Sequence, residues 1–127
     1  MQLNHADLQV ANVPETAAFF ERHFDFEIQT NRNSTAVIVL SDRCGFILVL
    51  QRKKDPAEVY PAGFHIGFRV DDVAIVHEKR ARLLEGGVEV GDILENNRGV
   101  MFYFTAPGDL LIEVSCPKPL PVAPSRA

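Results

Sequence analysis

Apolar and polar positions fall into two passages built on one plan. From Leu3 to Val10 they alternate in part, which predicts a strand. Asn12-Val13-Pro14-Glu15 then reads as a helix start, because asparagine caps well and proline is tolerated in the first turn. Ala17, Phe19, Phe20 and Phe24 follow at the spacing of an apolar helix face. Phe26–Thr30, Thr35–Leu40 and Phe46–Gln51 read as strands, parted by Asn31-Arg32-Asn33 and by the Ser41–Gly45 turn. The second passage repeats this order. Phe64–Val70 is a strand, Asp71 or Asp72 caps a helix running through Leu84, and Gly86-Gly87 stops it. Val73, Val76, Leu83 and Leu84 form its predicted core side. Val88–Ile93, Val100–Thr105 and Leu110–Ser115 complete the set, with turns at Asn96–Gly99 and Ala106–Asp109.

Superposing His5 on His65 aligns Val10 with Val70 and Val13 with Val73, as an internal repeat requires. The Asp55–Gly63 connection is too short to separate independent domains. The expectation is one domain over residues 1–116, with modules at about 3–52 and 63–116. A tail, 117–127, carries Pro117, Pro119, Pro121 and Pro124. It is expected to be extended or disordered, because proline cannot continue a central strand.

A chain of 127 residues suffices for one core. The net charge of -4 disfavours nucleic acid and anionic membrane as partners. No apolar run approaches the roughly 20 residues of a membrane helix. Met1-Gln2-Leu3-Asn4 shows neither a basic start nor a signal core, so a cytoplasmic protein is expected. Cys44 and Cys116 then read as free thiols.

Three residues stand out chemically. His5 and His65 hold equivalent places in the repeat. Glu113 interrupts the apolar run Leu110-Leu111-Ile112-Glu113-Val114. A carboxylate in such a strand needs a cation or strong donors, since burying it alone is costly. Two imidazoles and a carboxylate make a three-ligand metal site with coordination positions left for substrate. The competing explanation is that Glu113 faces solvent or pairs with an arginine such as Arg98. By the repeat, Glu113 corresponds to Val49 or Leu50, and neither binds a metal. Gln51, the nearest polar residue, is a poor base. The remaining polar groups have plainer roles. His23 and His77 fall on helix surfaces, and Arg69 either lines the cleft or, the favoured reading, pairs with an acid. Arg52-Lys53-Lys54 is a solvated loop that could steer an anionic substrate. Gly86-Gly87 is no phosphate loop, because no Lys-Ser/Thr follows it.

The βαβββ repeat with these three residues resembles the vicinal oxygen chelate superfamily. That family includes glyoxalase I, extradiol dioxygenases, fosfomycin-resistance proteins, methylmalonyl-CoA epimerase and bleomycin-resistance proteins. The resemblance covers residues 3–116. It is clearest at His5-Ala6-Asp7-Leu8-Gln9-Val10, at Phe19-Phe20-Glu21 through Phe24-Asp25-Phe26-Glu27, and from Phe102-Tyr103-Phe104-Thr105-Ala106-Pro107-Gly108 to Glu113. The family usually has Leu-Gly at Phe24-Asp25 and Asp-Pro at Ala106-Pro107. The resemblance implies an α+β fold of paired βαβββ modules forming a curved, partly closed mixed sheet. A central cleft would hold the metal, in a homodimer.

The resemblance also bears on chemistry. Glyoxalase I carries a metal-binding, proton-shuttling glutamate where this chain has Val49 or Leu50. Extradiol dioxygenases and fosfomycin-resistance proteins share the set of two histidines and one carboxylate. Both place a substrate-contacting tyrosine where Tyr103 stands, ten residues before Glu113. Its phenol could donate to an anionic oxygen. Leu50 occupies the region of the extradiol base histidine. Arg98 stands without the serine cluster of the fosfomycin pocket.

The expected function is therefore a metal-dependent glyoxalase-like lyase, isomerase or transferase. One divalent ion (zinc, nickel, manganese or iron) would be held by His5, His65 and Glu113. The substrate would be a small oxygen chelator, and Tyr103 and Glu113 would be catalytic. The alternatives are a metal-free antibiotic-sequestering protein of the bleomycin-resistance type, or an extradiol-type dioxygenase.

Overall fold

The computed structural model describes residues 1–119. The chain runs β1 (His5–Val10), α1 (Val13–Phe24), β2 (Glu27–Ile28), β3 (Val37–Ser41), β4 (Ile47–Arg52), β5 (His65–Arg69), α2 (Val73–Glu85), β6 (Leu94–Asn96), β7 (Gly99–Ala106) and β8 (Leu110–Pro117). This is the expected α+β class with the βαβββ order twice. The strands form two four-stranded sheets, ordered β1-β4-β3-β2 and β5-β8-β7-β6, and neither closes on itself. The chain divides into two compact units. The first holds Met1–Phe64 with Ala106–Leu110, and the second holds His65–Thr105 and resumes at Leu111.

In the first unit, α1 starts where the side chain of Asn12 accepts the Glu15 N–H at 3.0 Å. That bond satisfies one of the donors a helix start leaves open. Thr16, the one buried polar residue among the described residues, donates its hydroxyl to the Asn12 carbonyl at 2.7 Å. The helix ends at Asp25, whose φ of 56° is left-handed and whose N–H returns to the Phe20 carbonyl. Aspartate visits this region more readily than most residues, so Asp25 can close the helix there without glycine. Helix α1 packs on β3 and β4. Val13, Ala17 and Phe20 are buried, as are Leu8, Val10, Ile38, Leu40, Leu48 and Leu50. Strand alternation turns His5, Asp7 and Gln9 to the opposite, open face of β1. Phe19 and Phe24 are only half-buried.

In the second unit, Asp72 caps α2 by accepting the Ala74 N–H at 2.9 Å. Gly87 follows the helix with a φ of 82°. The core is Val76 and Leu83 of the helix with Phe102, Phe104, Ile112 and Val114 of the sheet. Val73 and Leu84 do not join it; they remain 41% and 47% exposed. They flank the stripe that Val76 and Leu83 form seven residues apart.

Other expectations are corrected. Val88–Ile93 is not a strand: Val90 makes a single bridge to Phe104, and the strand lies further on at Leu94–Asn96. Arg80 explains part of this, since its Nε donates at 2.8 Å to the Gly91 carbonyl and occupies an acceptor that a ladder would use. Strand β2 is two residues rather than five. There the Thr30 hydroxyl takes the Val39 N–H that a longer ladder would pair with backbone. Strand β8 extends through Cys116 to Pro117, past the predicted end at Ser115, and the Lys118 N–H bonds the Arg98 carbonyl at 2.8 Å. This extension crowds Gly99, where a Cβ would stand 2.3 Å from the Cys116 carbonyl oxygen. The expected tail beyond Pro119 lies outside the described residues.

The registers settle the repeat. β1 pairs in parallel with β4, matching His5 with Ile47 and Asp7 with Val49. β5 pairs in parallel with β8, matching His65 with Leu111 and Gly67 with Glu113. The equivalent of Glu113 in the first unit is therefore Val49, not Leu50.

Candidate functional site

The order β5-β8-β7 brings three chemistry-bearing side chains into a row across the open face of the second sheet. His65 begins β5, Glu113 lies mid-way along β8, and Tyr103 lies on β7. On β8, Leu110, Ile112 and Val114 are buried while Leu111, Glu113 and Ser115 are only half-buried, so Glu113 faces away from the core.

The contacts within this row are close. His65 Nε2 is 3.7 Å from Glu113 Oε2, with the side chains 41% and 18% exposed. The Tyr103 hydroxyl donates to the same carboxylate oxygen. The His65 and Tyr103 rings meet edge to face, centroids 5.8 Å apart. The carboxylate holds the Tyr103 phenol above the ordinary tyrosine range, first by accepting its hydrogen bond and also by its charge. Burial adds to the shift, and Arg98 beside the hydroxyl opposes it. Tyr103 is thereby kept a proton donor rather than a base. The guanidinium of Arg98 reaches Tyr103 and lies 3.9 Å from Met101 Sδ, so it serves the row from its end.

A hollow of about 380 Å³ opens beside Tyr103, with Thr105, Leu111, Glu89 and Gly91 in its wall. Gly91 permits this close packing, because a Cβ there would lie 3.0 Å from the Tyr103 carbonyl oxygen.

In the first unit, His5 occupies the place corresponding to His65 and is exposed. Its Nδ1 lies 2.8 Å from the Asn4 side-chain oxygen. In the tautomer with the proton on Nδ1, that bond orients the ring and leaves Nε2 as a donor atom. Two residues on, Asp7 has each carboxylate oxygen held by a glutamine. Gln9 donates to one at 2.9 Å and Gln51 to the other at 2.5 Å. Sequence reasoning passed over Asp7, although strand alternation alone puts it on the face of His5.

The donor chemistry suits a divalent ion. An imidazole nitrogen and a carboxylate oxygen 3.7 Å apart on adjacent strands are the mixed pair that zinc, nickel, manganese and iron accept. Among the described residues, no three side chains of His, Cys, Asp and Glu form a ready group. Each unit instead presents one imidazole and one carboxylate on an open sheet face.

The other polar residues have structural settings. Arg69 Nε lies 3.9 Å from Asp71, and both are exposed. His77 is exposed on α2, while His23 is half-buried with its ring 4.8 Å from that of Phe19. Both cysteines are free thiols. Among the described residues, no helix is long and apolar enough to cross a membrane.

Residues 2–114 match the Glyoxalase/Bleomycin resistance protein/Dioxygenase superfamily. Comparison with curated proteins gives no match. Among solved structures, a possible glyoxalase from Bacillus cereus is 34% identical with a TM-score of 0.80, over 91% of this chain and 99% of that one. Lactoylglutathione lyase from Agrobacterium tumefaciens aligns with a TM-score of 0.71 at 19% identity, over 90% and 92% of the two chains. A variant of the fosfomycin resistance protein FosX from Listeria monocytogenes, complexed with Mn(II) and 1S,2S-dihydroxypropylphosphonic acid, aligns with a TM-score of 0.75 at 20% identity, over 92% of each chain.

Proposed function

Because the chain belongs to the Glyoxalase/Bleomycin resistance protein/Dioxygenase superfamily, we propose that it is a metal-dependent glyoxalase-like enzyme acting on a small oxygen-chelating substrate. The observation that carries this reading is the row His65, Glu113, Tyr103: a donor pair with a protonated phenol fixed beside it. His5, His65 and Glu113 are the proposed ligands of one divalent ion. That ion, when bound, supplies Lewis-acid stabilisation to an enolate or oxyanion of the substrate. The Mn(II) complex of the fosfomycin resistance protein supports the choice of a divalent ion for this fold.

The chain's own groups have separate tasks. Asn4 orients the His5 ring, and Tyr103 orients the Glu113 carboxylate by donating to it. Once substrate is bound, the Tyr103 hydroxyl is the proposed donor to its anionic oxygen. Val49 leaves the first unit without the equivalent of Glu113, so a reaction needing a glutamate base at that position is disfavoured. The protein is proposed to be cytoplasmic and to work as a homodimer.

One observation favours a second reading. Glu113 already accepts the Tyr103 hydrogen bond, which satisfies a half-buried carboxylate without any cation. A metal-free ligand-sequestering protein of the bleomycin-resistance type would need no more. Metal content measured by plasma mass spectrometry separates the two. The enzyme reading expects about one ion per chain, lost in a His5→Ala, Glu113→Ala double variant. No ion in the folded wild-type protein, even after reconstitution, selects the sequestering reading.

A further inference from the structure

We infer that the hollow beside Tyr103 is a subsite for an ammonium-bearing part of the ligand, with Glu89 as its recognition group and Arg80 as the residue that positions its wall. The inference rests on the proposal above that a small molecule binds on this sheet face, whether to an enzyme or to a sequestering protein.

One wall of the hollow is a strand cut short. Val90 bridges Phe104, and the Gly91 N–H donates to the Tyr103 carbonyl at 2.8 Å. The Gly91 carbonyl instead accepts from Arg80 Nε at 2.8 Å, so its acceptor is spent on α2 rather than on the ladder. Arg80 is only 27% exposed, and its second contact is with Asp92, 3.7 Å away. Gly91 thus ties the wall to β7 on one side and to α2 on the other. Only glycine suits the place, because a Cβ there would stand 3.0 Å from the Tyr103 carbonyl oxygen.

The enclosed volume is about 380 Å³. Small-molecule sites occupy roughly 300–1,000 Å³. The lining joins apolar Val90 and Leu111 to Tyr103, Thr105 and Glu89. Glu89 carries the one formal charge of that lining, and among the described residues no cationic side chain pairs with it. Arg80 braces the wall but spends its guanidinium on Gly91 and Asp92. Arg98 lies by Met101, on the other side of Tyr103 from Thr105. The hollow therefore offers a carboxylate without a counter-charge, an aromatic ring, a hydroxyl and apolar contacts. An ammonium group on an apolar body uses all four: charge from Glu89, a π-face from Tyr103 and an acceptor from Thr105. An anionic group would meet Glu89 as a like charge.

The test is an NMR titration of the full chain, read from backbone amides after chelator treatment at neutral pH. The probes are benzylamine (an ammonium at that pH), its neutral counterpart benzyl alcohol, and benzoate. Wild type is compared with Glu89→Gln and Arg80→Met, each shown by circular dichroism to be folded. The expected result is shifts at Gly91 and Thr105, with benzylammonium bound at least about threefold tighter than benzyl alcohol and benzoate weakest. Glu89→Gln should abolish the charge preference and leave benzyl alcohol binding unchanged. Arg80→Met should weaken benzylammonium and benzyl alcohol alike, by at least about threefold, because the wall is no longer pre-organised. Equal binding of the three probes, or shifts confined to other parts of the chain, overturns the inference. A preference that survives Glu89→Gln overturns the role of Glu89, and wild-type binding in Arg80→Met overturns that of Arg80. Metal content of the same preparation before chelation keeps the two readings apart. A bound ion without the preference overturns this inference and leaves the enzyme standing. The preference without an ion upholds the subsite and overturns the enzyme.

Discussion

The two sheets repeat one strand order, β1-β4-β3-β2 and β5-β8-β7-β6, yet they distribute polar chemistry differently. In the second sheet the carboxylate stands on the last strand, is 18% exposed, and is bonded by Tyr103 and faced by His65. In the first sheet the rung is reversed: Val49 stands on β4 and Asp7 opposite it on β1, exposed and held by two glutamines. Sequence superposition compares Glu113 with Val49 and finds an empty position. The ladder compares rung with rung and finds a carboxylate in both.

The cores differ too. Helix α1 buries Val13, Thr16, Ala17 and Phe20, whereas α2 buries Val76 and Leu83. Phe20 is fully buried, its ring 5.6 Å from that of Phe26 and 6.1 Å from that of Phe24. The first unit thus has an aromatic anchor under its helix, and the second relies on aliphatic contacts and the Phe102–Phe104 pair.

The sharpest way to break the comparison is at the donors. Glu113→Gln keeps the shape of the side chain but removes its charge, and is expected to weaken divalent-ion affinity at least about a hundredfold in an isothermal titration. An unchanged affinity would mean that the second sheet's row is only structural. Next comes the core: Phe20→Ala should cost about 3–5 kcal/mol in urea unfolding, and Leu83→Ala about 2–5 kcal/mol. A smaller loss for Phe20→Ala than for Leu83→Ala would contradict the contrast drawn between the helices.

Tyr103→Phe is a milder probe. It removes the hydroxyl that orients Glu113 and should weaken ion affinity by about tenfold, without the large loss expected of Glu113→Gln. The smallest effect concerns Tyr60, whose hydroxyl bonds the Gln9 carbonyl beside Asp7. Burial raises its pKa above 10.0 in the fold, so the protonated form is the one the fold favours. Its contribution is complete below the unfolded value of 10.0 and is lost as pH rises through the folded value. Tyr60→Phe should cost about 1 kcal/mol at neutral pH and flatten the decline in stability above about pH 10. Equal alkaline declines in wild type and variant would contradict that assignment.

Much of this architecture was legible from local signals. Asn12 and Asp72 announced their helices because a capping side chain acts within three residues of itself. Glu113 stood out because an acid in an apolar strand conflicts with burial. What escaped reading depended on partners distant in sequence. Val88–Ile93 has the residues of a strand, but Arg80 takes the Gly91 carbonyl. The residue equivalent to Glu113 was ambiguous by one until the Asp7–Val49 pairing removed the choice. Val73 and Leu84 met the helical spacing and still lie at the margins of the buried stripe.

The central claim is that imidazole and carboxylate side chains of this chain hold a divalent ion. X-ray absorption at the zinc edge of the zinc-loaded protein tests it most directly. The account predicts nitrogen and oxygen neighbours at about 2.0–2.2 Å, with outer-shell scattering from two imidazoles that falls by half in His5→Ala. A shell containing sulfur at about 2.3 Å, drawn from Cys44 or Cys116, or one of oxygen alone, would contradict it.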